Sequence, residues 1–215
     1  MPDLNFQVDA AQADLNAASP LLIFKLQIRN ATAEPIQSVA LRCQVQIEAT
    51  RRRYSPEEQA RLVDLFGEPD RWSRTLGSLL WTHASTVVPS FEGQTVVDLP
   101  IPSTFDFNVA ATKYFHGLEA GEIPLSLQFS GTIFYRAAAG NLQVSQISWD
   151  KEARYRLSVQ VWREMMDRHY PNSAWLRLRR DVFDRLHEYK ARHAIPSWEA
   201  AVESLLAQSD ERVPS

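Results

Sequence analysis

Apolar and polar residues alternate with a period of two through the first three-quarters of the chain, and this pattern predicts β-strands. It is clearest in residues 39–49, where five apolar side chains are separated by polar ones. Comparable segments recur at residues 4–8, 22–28, 123–135, 141–149 and 155–161. Seven or eight strands with one polar face each predict a mainly β protein that folds as an antiparallel β-sandwich.

Two glycines have a predicted role in these strands. Gly93 follows Glu92 at the turn of a hairpin that we expect over residues 86–99. Gly131 lies on the apolar face of the strand at residues 123–135. A glycine at such a position indicates a bulge or the close approach of another backbone.

The alternation is interrupted by a first helical segment, near residues 51–83. Ser55 is suited to cap a helix, Pro56 to occupy its first position, and Glu58 to complete a capping box. Gly67 is the predicted end of this helix. A long insertion between two strands of a sandwich is more often functional than a short connection is.

A second helical segment, near residues 103–121, also lies within the strand sequence. Asp106 and Asn108 are suited to cap a short helix that ends at Gly117 or Gly121. Together with the first insertion it has the potential to form one composite surface at an end of the sandwich.

The last quarter of the chain has a different pattern, with apolar residues at helical spacing. Two amphipathic helices are predicted, over residues 174–193 and 197–207. We therefore expect a β-sandwich domain at residues 1–161 and a C-terminal helical subdomain at residues 162–215.

Composition and charge restrict the classes of partner. The net charge of the 215 residues is −3, so the chain as a whole has no electrostatic attraction to nucleic acid or to an anionic membrane. No stretch approaches the ~18 apolar residues of a membrane span, and the N-terminal residues lack the features of a signal peptide. The sequence therefore predicts a cytoplasmic protein without nucleic-acid binding or membrane insertion.

Motifs of catalysis and of cofactor binding are missing from the sequence. The seven glycines form no nucleotide-binding loop, and no serine-hydrolase, zinc-protease or calcium-loop motif occurs. Cys43 is the only cysteine and is in phase with the apolar side of its strand, which favours a buried structural thiol over a nucleophile. We expect a non-catalytic protein with no cofactor and no metal site.

The candidate binding residues lie in the two insertions. The three arginines at 51–53 are suited to an acidic partner, although pairing with Glu57, Glu58 and Asp64 within the insertion is the simpler explanation. The predicted partner-binding residues are Arg51, Arg52, Arg53, Trp72, Trp81, His83, Asp106, Lys113 and His116.

Five stretches of the chain carry a resemblance: "RRRYSPEEQARLVDLFGEPDRW", "LLWTH", "DFNVAATKYFHGL", "PLSLQFSGTIFY" and "PNSAWLRLRRD". In these stretches the sequence resembles an uncharacterised bacterial family that covers nearly the whole chain and is associated with gene neighbourhoods of nickel–iron hydrogenases in soil bacteria. The resemblance implies an accessory protein whose partners are hydrogenase subunits or maturation factors. It supplies no catalytic residues.

Three functions are compatible with these features. The favoured one is a non-catalytic accessory or adaptor protein that binds a protein partner through its insertions and its tail. The first alternative is a homo-oligomeric structural protein joined by edge strands or by tail helices. The second is a sandwich that binds or hydrolyses a small molecule at its insertion end, with Arg52, His83, Asp106, Lys113 and His116 converging on one pocket.

Overall fold

The computed structural model describes residues 1–103, 109–137, 140–173, 176 and 178–210. The chain divides into two compact units, Met1–Ser173 and Ala174–Ser215. The strands of the first unit are β1 (Leu4–Ala13), β2 (Leu21–Asn30), β3 (Ile36–Ile47), β4 (Leu79–Val88), β5 (Gln94–Pro102), β6 (Glu122–Arg136), β7 (Leu142–Gln146) and β8 (Glu152–Ser158). Its helices are α1 (Pro56–Phe66), α2 (Trp72–Thr75), α3 (Val109–Gly117) and α4 (Val159–His169), and those of the second unit are α5 (Arg180–Arg192) and α6 (Trp198–Asp210).

The strands of the first unit form two antiparallel sheets. One has the order β1-β2-β5, and the other has the order β4-β3-β6-β7, with β8 also paired to β6. The chain crosses from one sheet to the other between β2 and β3, which are neighbours in sequence. The predicted fold class is confirmed: the protein is mainly β and antiparallel, with inserted helices and a C-terminal helical part.

The core lies between the two sheets, where the apolar residues of the alternating pattern meet. On β2 the inward side chains are fully buried while the residues between them are partly exposed. Aromatic rings join the sheets: Phe6 stacks on Phe129 with ring centroids 4.2 Å apart, and Phe24 meets Trp81 at 6.4 Å. Burial of this set of large side chains is the main source of stability that the sequence pattern encodes.

Cys43 and Gly131 have the positions that the pattern predicts. Cys43 is buried on β3, and burial raises the pKa of its thiol to about 12, so it is not poised as a nucleophile. Gly131 has a φ of 142°, and a Cβ at this position would collide with the main-chain carbonyl of Ala40 on β3. Only glycine suits this close approach of two strands.

Two expectations about strands are wrong. Residues 86–99 do not form a hairpin, because β4 and β5 belong to different sheets and the turn at Gly93 carries the chain from one sheet to the other. The strand predicted for residues 155–161 ends at Ser158, where α4 begins. The Ser158 hydroxyl accepts a hydrogen bond from the Gln160 N–H (3.2 Å) and caps the start of this helix.

Helix α4 is part of the first unit. Near its C-terminal end, the Nε2 of His169 lies 3.0 Å from the carbonyl oxygen of Ala17, in the connection between β1 and β2. The boundary that we placed between residues 161 and 162 falls within this helix, whereas the two compact units divide after Ser173.

Candidate functional site

The two predicted insertions contact each other. Helices α1 and α3 pack together, and Gly117 lies so close to α1 that a Cβ there would be 2.7 Å from the Cδ2 of Leu62. Two ion pairs join their outer sides, Arg61 to Glu119 (2.9 Å) and Lys113 to Asp64 (3.4 Å). We call α1 and α3 the helical cap.

Glu58 is the centre of the polar contacts in the helical cap. Its carboxylate accepts hydrogen bonds from the guanidinium of Arg52 (2.5 Å), from the N–H of Glu119 (2.9 Å) and from the N–H of Ser55 (3.2 Å). The Arg52 side chain is 9% exposed and that of Glu58 5%, and Arg52 also donates to the carbonyl oxygen of Ala120 (2.7 Å). A buried pair with this many hydrogen bonds fixes the geometry of the segments that it joins.

The capping box predicted for α1 is confirmed by these contacts. The hydroxyl of Ser55 accepts from the N–H of Glu58, the carboxylate of Glu58 accepts from the N–H of Ser55, Pro56 is the first helical residue, and Gly67 ends the helix. Local pairing of Arg52 with Glu58 is also confirmed. The guanidinium of Arg52 is therefore buried and paired within the fold.

A pair of tyrosines lies beneath the helical cap. The hydroxyl of Tyr54 donates to the carbonyl oxygen of Ala49 (2.7 Å), so the hydroxyl of Tyr114, 2.8 Å away, donates to Tyr54. Burial raises the pKa of both phenols, and both remain neutral near pH 7. Their rings meet edge to face with Trp72 and Phe66, so this cluster is apolar core and not a reactive centre.

Helix α4 is joined to the helical cap through α3. The guanidinium of Arg163 donates to the carbonyl oxygen of Leu118, and the ring of Trp162 lies 5.0 Å from that of Phe115 and 4.9 Å from that of His116. Desolvation, with a smaller contribution from the charge of Arg163, lowers the pKa of His116 below its ordinary value of 6.5.

The other predicted binding residues have varied positions. Arg51 pairs with Glu48 (3.4 Å) at the surface, and Arg53 is exposed. Trp72 and Trp81 are buried: the indole N–H of Trp72 donates to the carbonyl oxygen of Gly67 (2.8 Å), and Trp81 packs in the sandwich core. Their rings support the fold and do not face solvent. Asp106 lies outside the described residues.

His83 is separate from the helical cap. It lies on β4 and faces outward, with its Nε2 3.3 Å from the side-chain oxygen of Gln44 on β3. It lines an open depression of about 430 Å³ together with Arg42, Ser85 and Ser130, to which no other described member of the predicted set contributes. His83 and His116 therefore do not share a site.

One apolar surface lies at the β7 edge of the larger sheet. Residues 148–151 loop out between β7 and β8, while the N–H of Ile147 and the carbonyl of Lys151 still pair with β6. At this loop Trp149 is 93% exposed, and Leu142 and Val144 of β7 are also exposed. We call these three residues the edge patch.

The second unit presents another exposed apolar surface. In the described part of α5 and α6 only Ala201 is buried, and several large apolar residues are exposed. The helices contact each other through Phe183 and Trp198, with ring centroids 5.3 Å apart, and through a hydrogen bond between Tyr189 and Ser204 (2.7 Å). The amphipathic patterns predicted these two helices. The structure has α5 at Arg180–Arg192, and positions 174, 175 and 177 of the predicted segment lie outside the described residues.

No metal-binding cluster of three or more His, Cys, Asp or Glu side chains occurs in the part of the chain that the structure describes. None of the helices within the described ranges has both the length and the apolarity needed to cross a membrane.

These features define a β-sandwich protein with a helical cap, an exposed sheet edge and a separate helical unit. The chain belongs to a family of unknown function, DUF6084, whose model matches residues 1–214. A search of curated proteins gave no significant match.

Solved structures similar to this chain have β-rich folds. The CARDB domain of a Pyrococcus furiosus protein, solved in complex with di-metal ions, is 10% identical, with a TM-score of 0.27 over 73% of this chain and 92% of that chain. A putative ApaA protein from Bordetella pertussis is 12% identical, with a TM-score of 0.24 over 73% and 93%. Likenesses this distant carry no argument about function.

Proposed function

We propose that the protein is a non-catalytic adaptor that binds a protein partner at the edge patch. The observation that carries the proposal is the exposure of Trp149, in the loop that follows the edge strand β7, together with the exposure of Leu142 and Val144 on β7 itself. Tryptophan is enriched among the residues that dominate binding energy in protein interfaces, and adjoining apolar side chains extend such a contact.

The backbone of β7 adds a second reason. Strand β7 is the last strand of its sheet, so one side of its main chain is not paired within the sheet. An extended partner segment that adds to this edge gains main-chain hydrogen bonds, and Trp149 supplies an apolar anchor beside them. The edge patch therefore suits a peptide segment of another protein better than it suits a small molecule, which requires a concave pocket.

The partner class follows from the family resemblance. Hydrogenase subunits or maturation factors are the partners that the resemblance implies, and an accessory role in hydrogenase assembly or function is the finer form of the proposal. Nothing in the proposal requires a catalytic residue, because the helical cap uses its polar groups for internal contacts.

The proposal is tested by affinity capture of the tagged full chain from its native host, compared with the variant Trp149→Ala/Val144→Ser. We expect the wild-type protein to recover a stoichiometric partner, identified by mass spectrometry, and the variant to recover at least tenfold less. Both substituted side chains are exposed, so the fold is unaffected, and Val96→Ser, at an exposed apolar residue of β5, is the matched surface control. Equal recovery by the variant would refute the edge patch, and recovery of no partner by the wild type would refute a stable adaptor.

A small-molecule function is a second candidate, favoured only by the depression that His83, Arg42 and Ser130 line. The guanidinium of Arg42 and the imidazole of His83 in its lining suit a small anion. Isothermal titration with inorganic phosphate and with acetate tests it, because binding that His83→Ala abolishes supports this function and the absence of binding excludes these ligands.

A further inference from the structure

The second unit has almost no core of its own. Its 42 residues, Ala174–Ser215, include two helices of 13 residues each, and Ala201 is the only buried residue among those described. Units of this size do not usually bury enough apolar surface to be stable alone and rely on disulfides, metals or association. The protein has a single cysteine, which is buried in the other unit, so a disulfide does not supply this stability.

The contacts inside the unit define which side of it is open. Trp198 contacts Phe183 and lies 5.5 Å from the ammonium of Lys190, and Ser204 bonds to Tyr189, so these residues hold α6 against α5. A groove of about 400 Å³ runs beside this contact, with a floor of Val182, Leu186, Tyr189 and Leu205. The two helices thus form a single layer, and none of the described residues of the unit forms a second layer over its apolar face.

The apolar face is bordered by basic side chains on α5 and by acidic side chains on α6. Arg185 and Arg192 of α5 line the groove on one side, together with Glu188. On α6, Glu199 and Glu203 occupy successive turns next to the exposed Val202 and Leu206. Helix α5 has four basic and three acidic side chains, whereas α6 has three acidic and no basic ones.

We propose that this helical hairpin is a homodimerisation site, in which the apolar faces of two copies pack into a four-helix bundle. A twofold axis parallel to the helices places α5 of one copy against α6 of the other, and Arg185 and Arg192 then face the partner's glutamates. The opposite choice of axis places α5 on α5 and α6 on α6, which brings like charges together. The charge pattern therefore selects one self-complementary arrangement.

The size of the face predicts the strength of the dimer. Helices of 13 residues are about 20 Å long, and two side by side cover a face on the order of 400 Å² per copy. Stable interfaces bury roughly 800 Å² per partner, so we expect a weak dimer that forms reversibly. It presents two edge patches in one assembly, and a partner with two binding segments gains avidity from it.

The first experiment is sedimentation velocity of the purified full chain over a wide concentration range. We expect a shift from monomer to dimer as concentration rises, and at least a tenfold weaker dimer for Val202→Ser/Leu206→Ser, which removes exposed apolar groups without changing charge. Val96→Ser, at an exposed apolar residue of β5, is the matched control and leaves the dimer unchanged. A wild-type protein that stays monomeric overturns the proposal, as does a dimer that the hairpin variant retains.

The second experiment tests which helices face each other. Arg185→Glu/Arg192→Glu makes both rims acidic, and Glu199→Arg/Glu203→Arg makes both rims basic. Each variant alone is expected to be monomeric, and an equimolar mixture is expected to form a heterodimer, which also shows that both variants are folded. A variant that alone dimerises as tightly as the wild type overturns the pairing of α5 with α6, and a mixture that stays monomeric overturns the role of these charges in the interface. Because purified protein is used, these results are independent of whether a host partner binds the edge patch.

Discussion

Helices α1 and α5 are similar in length and amphipathic pattern, yet they differ in what covers their apolar faces. In α1, Leu62 and Phe66 are buried, whereas no residue of α5 is buried. Helix α1 lies in a unit that has a sheet core and a second helix, α3, against which it packs. The apolar face of an amphipathic helix is therefore buried where other elements of its unit pack against it, as in α1, and exposed where none does, as in α5.

The largest expected difference in stability is between two truncations of phenylalanine, one on α3 of the helical cap and one on α5 of the second unit. Phe115→Ala removes a fully buried ring that contacts Trp81 and Trp162, and we expect it to lower the free energy of unfolding by about 3–5 kcal/mol. Phe183→Ala in α5 removes a ring that is 44% exposed, and we expect it to lower the free energy of unfolding by less than about 1 kcal/mol. Urea denaturation of both variants measures the difference, and equal losses would contradict the comparison.

The next effect concerns the ion pair of the helical cap. Arg52→Met leaves the carboxylate of Glu58 buried without its cation, and we expect a loss of about 3 kcal/mol in the free energy of unfolding. Arg53→Met, at the adjacent exposed arginine, is expected to change it by less than about 0.5 kcal/mol. Urea denaturation measures both values. Similar urea midpoints for the two variants would show that the Arg52–Glu58 ion pair does not stabilise the helical cap.

The third expected loss of stability comes from adding a methyl group at Gly131 in the larger sheet. Gly131→Ala forces β6 away from the carbonyl of Ala40, and we expect a loss of about 1–3 kcal/mol. Gly77→Ala is the control, because nothing lies within 4 Å of a Cβ at that position and its φ is not in the left-handed region. Thermal denaturation of the pair provides the measurement, and a neutral Gly131→Ala would refute the close approach.

The smallest effect is a pH dependence that arises from His116 in the helical cap. Since the pKa of His116 is lowered in the folded protein, the unfolded chain binds its proton first as pH falls. The contribution of His116 to stability is thus complete above its ordinary pKa of 6.5 and is lost as pH falls through the lowered value. His116→Gln should reduce the difference between the urea midpoints at neutral and mildly acidic pH, and an unchanged difference would contradict this assignment.

The sequence predicted features that depend on neighbouring residues. The capping box of α1 requires only Ser55, Pro56 and Glu58, which lie within four positions, so its spacing alone indicates the helix. The strand phases were equally accessible, because an alternation of period two assigns each side chain to a face without knowledge of the partner strand.

Features that depend on distant parts of the chain were not predictable. Val159 and Val161 continue the alternation of β8, and only the position of α4 against the helical cap distinguishes helix from strand there. The exposure of Trp149 follows from a loop that leaves the ladder between β7 and β8, and the burial of Trp72 and Trp81 follows from contacts with residues of other elements. An aromatic residue in the sequence does not reveal whether it faces the core or a partner.

The most direct test of the account is hydrogen–deuterium exchange of the full chain at protein concentrations well below and well above the dimer transition. We expect the amides of α5 and α6 to exchange far faster than those of α1 and β3 at low concentration, and to become protected at high concentration while the first unit does not change. Helices α5 and α6 that are as protected as α1 at low concentration would show that their apolar face is already covered, and would contradict the account.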